Sequence, residues 1–213
     1  MGVGVSRIRR ILFGLLVLTP AVAHAYDPVE AGGKKAVQCA PCHGLNGISR
    51  YPSMPNLAGQ KRDVLMAQIG AFLEKPSRPS RSGAASRSEG VMEHSVEGLS
   101  EKGALDLAFF FSSLPCALPV RQIPSTVPEV VIRCSRCHGA NGRNTYKNVP
   151  DLAGQKKHYL ENQIRALRES GLVANDPLLI RKRSHPMMGP QALFLTESEI
   201  KSLAAHFASQ TCR

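Results

Sequence analysis

Five consecutive residues, Cys39-Ala40-Pro41-Cys42-His43, return 95 positions later (134 − 39) as Cys134-Ser135-Arg136-Cys137-His138, and this recurrence restricts the chain more than any other feature. Two thiols three positions apart, followed directly by an imidazole, form the attachment signature of c-type haem. The thiols add across the haem vinyl groups and the histidine is held under the iron as an axial ligand. One copy leaves room for a redox or zinc Cys-x-x-Cys that happens to precede a histidine. Two copies make that coincidence hard to defend, and they call for two covalently bound haem c groups on one chain.

The repeat extends well beyond the motif. At the same offset Gly44, Asn46, Gly47 and Tyr51 map onto Gly139, Asn141, Gly142 and Tyr146. Pro55-Asn56-Leu57-Ala58-Gly59-Gln60 maps onto Pro150-Asp151-Leu152-Ala153-Gly154-Gln155, and Gln68-Ile69 onto Gln163-Ile164. Self-similarity of this length means one structural unit used twice. Each unit reads as helical: 63–72 and 157–168 carry apolar residues at helical spacing, and Ser100-Glu101 and Thr196-Glu197 open the final helices with a capping hydroxyl and an early acid. No alternating strand pattern competes, so the expected class is all-α. Residues 74–90, rich in Ser, Arg, Gly and Pro, read as a surface loop, and Pro115, Pro119, Pro124 and Pro128 punctuate an extended connector too short for a free tether. The expected division is a leader over 1–25, a first domain over 26–114, a proline-rich linker over 115–128 and a second domain over 129–213, with the domains packed closely.

The leader follows from Arg7, Arg9 and Arg10, an apolar run from Ile11 to Val22, and the small-residue cleavage site Ala23-His24-Ala25. That run falls short of the roughly 20 residues a spanning helix needs, so cleavage after Ala25 and a periplasmic location are expected, with no later membrane span. Of the formal charge of +11, the leader carries three arginines. Haem propionates, at about two negative charges per haem, would reduce the mature balance to roughly +4. Lys156-Lys157-His158 and Arg181-Lys182-Arg183 are either ordinary solvated faces or surfaces for an acidic redox partner or anionic lipid. An exported chain whose basic residues lack interleaved aromatics does not suit nucleic acid.

A methionine thioether opposite the histidine would close each iron and raise its potential. Met92 is the candidate in the first half, Met54 and Met66 lying too near His43. In the second half two residues compete: counting from the haem motif selects Met187, whereas counting back seven residues from Leu195, as Met92 precedes Leu99, selects Met188. The helix anchor is closer, which favours Met188 without removing Met187. His94, His158, His185 and His206 lack repeated counterparts and read as surface or loop residues, His94 and His185 remaining reserve ligands. Cys116 and Cys212 occupy equivalent places after the final helices, as a disulfide near a pseudo-twofold axis or as two separate thiols.

With the paired haem motifs, the repeated Leu-Ala-Gly-Gln segments, the Gln-Ile pairs and the placement of Met92 and Met188, nearly the whole mature chain resembles the dihaem cytochrome c4 family and, more widely, class I cytochromes c. The resemblance implies two tandem class I domains, each binding one haem through histidine and methionine. It also gives Pro55 and Pro150 a role, their carbonyls accepting the ring proton of His43 and His138 and orienting each ligand. Three departures stand out: the N-terminal helix of the second domain is short, Val64 stands where the second half has Tyr159, and Cys116 and Cys212 are not part of the family's shared motif. The expected function is single-electron transfer between redox-protein donor and acceptor, a membrane oxidase or dehydrogenase among them, without catalysis by the chain itself. A cytochrome subunit of a dehydrogenase complex, such as a sulfur-oxidising flavoprotein, is the alternative. A dihaem enzyme with one open iron, such as a peroxidase or a thiosulfate-oxidising cytochrome, is disfavoured by a methionine in each half.

Overall fold

The computed structural model describes residue 1 and residues 26–74, 86–87, 89–116, 127–172 and 183–212. The expected leader, the middle of the surface loop at 74–90, most of the proline-rich connector, and Arg181 and Lys182 lie outside the described residues.

The first half is built of α1 (Pro28–Ala36), a 3-10 turn (Val37–Cys39), α2 (Ala40–His43), α3 (Arg62–Leu73), α4 (Gly90–Val96) and α5 (Glu101–Ser113). Asp27 starts α1 by accepting from the Val29 and Glu30 amides, with Pro28 at a position where no amide hydrogen is needed. α1 crosses α5 closely, and only a glycine permits it: a Cβ at Gly32 would stand 2.0 Å from the Asp106 carbonyl oxygen. Ala36, Leu65, Leu107, Ala108 and Phe111 form the core beneath this crossing.

The second half is built of α6 (Glu129–His138), α7 (Lys157–Leu172), α8 (Met188–Ala192) and α9 (Glu197–Ser209). Here one helix of 10 residues, α6, stands for the whole stretch 28–43 of α1, the 3-10 turn and α2, the truncation the sequence suggests, and the crossing is missing. Val127, which corresponds to Gly32, precedes α6 and is exposed. Support shifts to α7, longer than α3, whose Leu160 and Leu167 join Val131, Ile200, Leu203 and Phe207 in the core. Arg168 donates to the Leu195 carbonyl at 3.0 Å and pairs with Glu197 at 2.6 Å, and Arg165 reaches Glu197 at 2.9 Å. A capping box closes the start of α9, with Thr196 accepting from the Glu199 amide and Glu199 accepting from the Thr196 amide.

The halves meet about a pseudo-twofold axis through reciprocal bonds. Gln60 holds the Asp151 backbone, donating to its carbonyl at 2.9 Å and accepting from its amide at 3.1 Å. Gln155, its counterpart, does the same for Asn56 at 2.9 and 2.8 Å. Cys116 and Cys212 are joined as a disulfide across the axis, with their Cα atoms 5.8 Å apart. Among the described residues the departure from helix is one two-residue antiparallel pair, β1 (Ser86–Arg87) with β2 (Arg183–Ser184), which also bridges the halves. The architecture is mostly helical, in line with the expected all-α class.

Candidate functional site

Each Cys-x-x-Cys-His segment is helical and ends abruptly at a glycine with positive φ, Gly44 at 79° and Gly139 at 81°. A side chain there would be strained, and its Cβ would fall 2.2 Å from the Ile48 carbonyl oxygen or 1.7 Å from that of Arg143. The sharp exit sends the chain into a tight loop that comes back over the motif. In the first half the Gly47 carbonyl accepts from the Leu57 and Ala58 amides, and the Gly59 amide ties the loop to the end of α5 through Phe111. Gly142, Leu152, Ala153, Gly154 and Phe207 repeat these bonds in the second half.

The loop delivers a proline carbonyl to each histidine. His43 Nδ1 lies 3.0 Å from the Pro55 oxygen and His138 Nδ1 3.1 Å from the Pro150 oxygen, and both imidazoles are buried. A carbonyl can only accept, so each Nδ1 carries the proton and each Nε2 presents its lone pair, the form an iron requires. Burial also pushes the His138 pKa below its ordinary value, keeping the ring neutral.

Cys39 and Cys134 pack against the two cores, and burial pushes both thiols up, away from the reactive thiolate. Neither motif is closed into a disulfide, and among the described residues no group of three or more His, Cys, Asp or Glu side chains is placed to hold a metal ion. The donor set therefore suits a porphyrin iron, which brings its own four equatorial ligands, better than a zinc site, which requires four from the protein. Met92 lies partly buried on α4. Met188 opens α8 and packs against the second core, whereas Met187 is 70% exposed.

The remaining histidines divide. His94 and His158 are exposed, although both stand on helices, and His185 accepts the Met187 and Met188 amides on Nδ1 at 3.2 Å each, capping α8. His206 departs from the surface or loop expectation: it is buried in α9, with Nε2 3.3 Å from the Ala140 carbonyl oxygen. It occupies the place of Phe110, which in the first half packs on Gly33 of α1, and the short α6 leaves room for a different contact. Two supports were not legible in advance. Ser49, fully buried, donates to the Cys42 carbonyl at 2.6 Å, and Asn56 accepts from the Ser49 amide at 3.0 Å. In the second half Asn144 and Asp151 form the corresponding amide-to-side-chain bond at 3.2 Å.

The sequence model of the cytochrome c family matches residues 129–211. Cytochrome c4 of Azotobacter vinelandii is 33% identical over 170 residues, covering 73% of this chain and 79% of the relative. The "thiosulfate dehydrogenase electron acceptor" of Thiomonas intermedia (strain K12) is 27% identical, covering 95% of this chain and 92% of that protein. The crystal structure of reduced recombinant cytochrome c4 from Pseudomonas stutzeri superposes with a TM-score of 0.68 at 25% identity, covering 87% of this chain and all of that one. Paired Cys-x-x-Cys-His helices, proline-oriented imidazoles and these relatives lead to one conclusion: the chain belongs to the dihaem cytochrome c4 family of electron-carrying c-type cytochromes.

Proposed function

We propose that the chain carries single electrons through two haems, each attached by its Cys-x-x-Cys pair and held between histidine and methionine: Cys39, Cys42, His43 and Met92 in a domain spanning 26–114, and Cys134, Cys137, His138 and Met188 in one spanning 129–213. The observation that carries the reading is the repeated imidazole-to-carbonyl contact, 3.0 Å at His43 and 3.1 Å at His138. When bound, the haem supplies an iron that changes oxidation state by one electron. The chain's own residues supply the rest. Pro55 and Pro150 fix the ring orientation and donor nitrogen, the loops at Gly44 and Gly139 keep those carbonyls in place, and the two apolar cores limit solvent. Met92 and Met188 would each supply a thioether to their iron, which would leave it closed to small ligands so that the redox change would need little rearrangement. Export of the mature chain after Ala25 places it in the periplasm, where thiol attachment of haem and a disulfide are both at home. No helix among the described residues is long and apolar enough to cross a membrane.

A second reading is favoured by the relative named as a thiosulfate dehydrogenase electron acceptor: this chain takes electrons from one dedicated dehydrogenase rather than from a mobile pool. The experiment is a haem-quantified redox titration of the purified protein, followed by mixing with carbon monoxide. Two one-electron steps per chain and no carbon monoxide uptake support the carrier. Uptake at one haem contradicts it.

A further inference from the structure

The pseudo-twofold axis generates two equivalent seams between the halves, and their charges differ. On one, Lys61 reaches across to the second half. Its ammonium pairs with Asp151 at 3.0 Å and donates to Asn144 Oδ1 at 2.8 Å, the Tyr146 carbonyl at 3.0 Å and the Val149 carbonyl at 2.7 Å. That cation is fully accounted for.

On the other seam Lys156 takes the place of Lys61, and its backbone is held the same way: its amide donates to Gln155 Oε1 at 2.9 Å, as the Lys61 amide does to Gln60 Oε1 at 3.0 Å. The groups that would receive its ammonium have changed. Asn56 stands for Asp151, removing the carboxylate, and Ser49 stands for Asn144, with its hydroxyl committed to the Cys42 carbonyl. Among the described residues neither Lys156 nor Arg50 has an ion-pair partner. Arg50, where the second half has Thr145, adds a further cation whose contacts are the Tyr51 hydroxyl at 2.7 Å and the Tyr51 ring at 4.9 Å, both neutral.

A cleft of about 440 Å³ opens at this seam, lined by Arg50 and Pro52 from the first half and by Lys156, Lys157, His158 and Glu161 from the second. Three permanent cations thus face one carboxylate, and Glu161 is shared between Lys157 at 3.9 Å and Arg165 at 3.4 Å. We propose that this cleft binds a small divalent oxyanion of the sulfate class, which gives Lys156 the charge partner that Lys61 finds in the Asp151 carboxylate on the opposite seam. Two negative charges match the uncompensated cations, and Arg50 with Lys156 would grip the anion from opposite halves. The inference rests on the seam and not on the haem ligands.

The test is a calorimetric titration of the haem-loaded protein with sodium sulfate at fixed ionic strength. One saturable site per chain is expected. Lys156→Gln and Arg50→Gln should each weaken it at least tenfold, and Lys34→Gln, on the exposed Glu30 pair, should leave it unchanged. Asn56→Asp, which restores the missing carboxylate, should weaken sulfate as well by giving Lys156 an internal partner. Absence of saturable uptake, the result expected if a haem propionate already fills the cleft, would overturn the proposal. So would uptake that Lys156→Gln and Arg50→Gln leave within twofold.

Discussion

The two halves keep the same loop and rebuild the scaffold around it. In both, a positive-φ glycine ends the motif helix, a second glycine carbonyl accepts two amides, and a proline carbonyl meets the histidine Nδ1 at nearly the same distance. Outside that loop the corresponding helices are braced differently. The first half relies on α1, a separate helix ahead of the motif, crossing α5 at Gly32 and anchored by a buried Asp106 that accepts from the Tyr26 hydroxyl and pairs with Lys35 at 3.0 Å. The second half has lost the crossing and gained a longer α7, an arginine clamp on Glu197 and a capping box. Duplicated units tolerate changes in how a helix is braced, because burial is roughly additive over many contacts. They do not tolerate changes in a loop that must deliver one atom to one place.

The comparison can be broken most severely by separating the halves. The disulfide closes a loop of 96 residues, and removing it with Cys116→Ser and Cys212→Ser should cost about 4–5 kcal/mol on the chain-entropy account. Calorimetry should then resolve two transitions where the native protein shows one. Next comes the crossing. Gly32→Val forces a side chain into the α5 backbone and should destabilise the first half by about 3 kcal/mol, whereas Val127→Gly at the equivalent exposed position should change stability by no more than about 0.5 kcal/mol. Hydrogen exchange, read separately over the two halves, checks both.

These contrasts show how far the sequence carries. The haem motifs, the offset of 95, the final helices and the short α6 were all legible, because thiol spacing, capping residues and apolar periodicity act locally. Pro55 and Pro150 needed the family resemblance, since nothing local says which carbonyl an imidazole will meet. The reciprocal use of Gln60 and Gln155 was hidden although the residues stood out, because the repeat records that a segment is kept without recording what lies across the axis. The disulfide stayed open for the same reason: equivalent positions meet only if the axis runs between them. His206 runs against its sequence signal: the lack of a repeated counterpart suggests exposure, whereas it marks a place where the second core is packed differently.

Smaller effects separate the two braces. Arg168→Ala should loosen the start of α9 in the second half alone, less than Gly32→Val loosens the first, and by an amount that shrinks with added salt because the Glu197 carboxylate is half exposed. The Tyr26 hydroxyl, with Lys35 and Lys102, holds the Asp106 carboxyl below its ordinary value of 3.8. A depressed carboxyl stabilises the folded state above its unfolded pKa, and that stabilisation is lost as pH falls towards the folded value. Acid should therefore weaken the first half through Asp106, a contribution the second half lacks because it has Ser202 at this place, and Asp106→Asn should remove it.

The proposal that two differently braced halves would present the same closed iron is tested most directly by spectra of the oxidised protein with methionine variants. The native protein should show a sulfur-to-iron charge-transfer band from both haems. Met92→Ala should remove it from the first and Met188→Ala from the second, with Met187→Ala leaving both intact. Loss of the band in Met187→Ala, or one native haem that lacks it and binds carbon monoxide, would contradict the account.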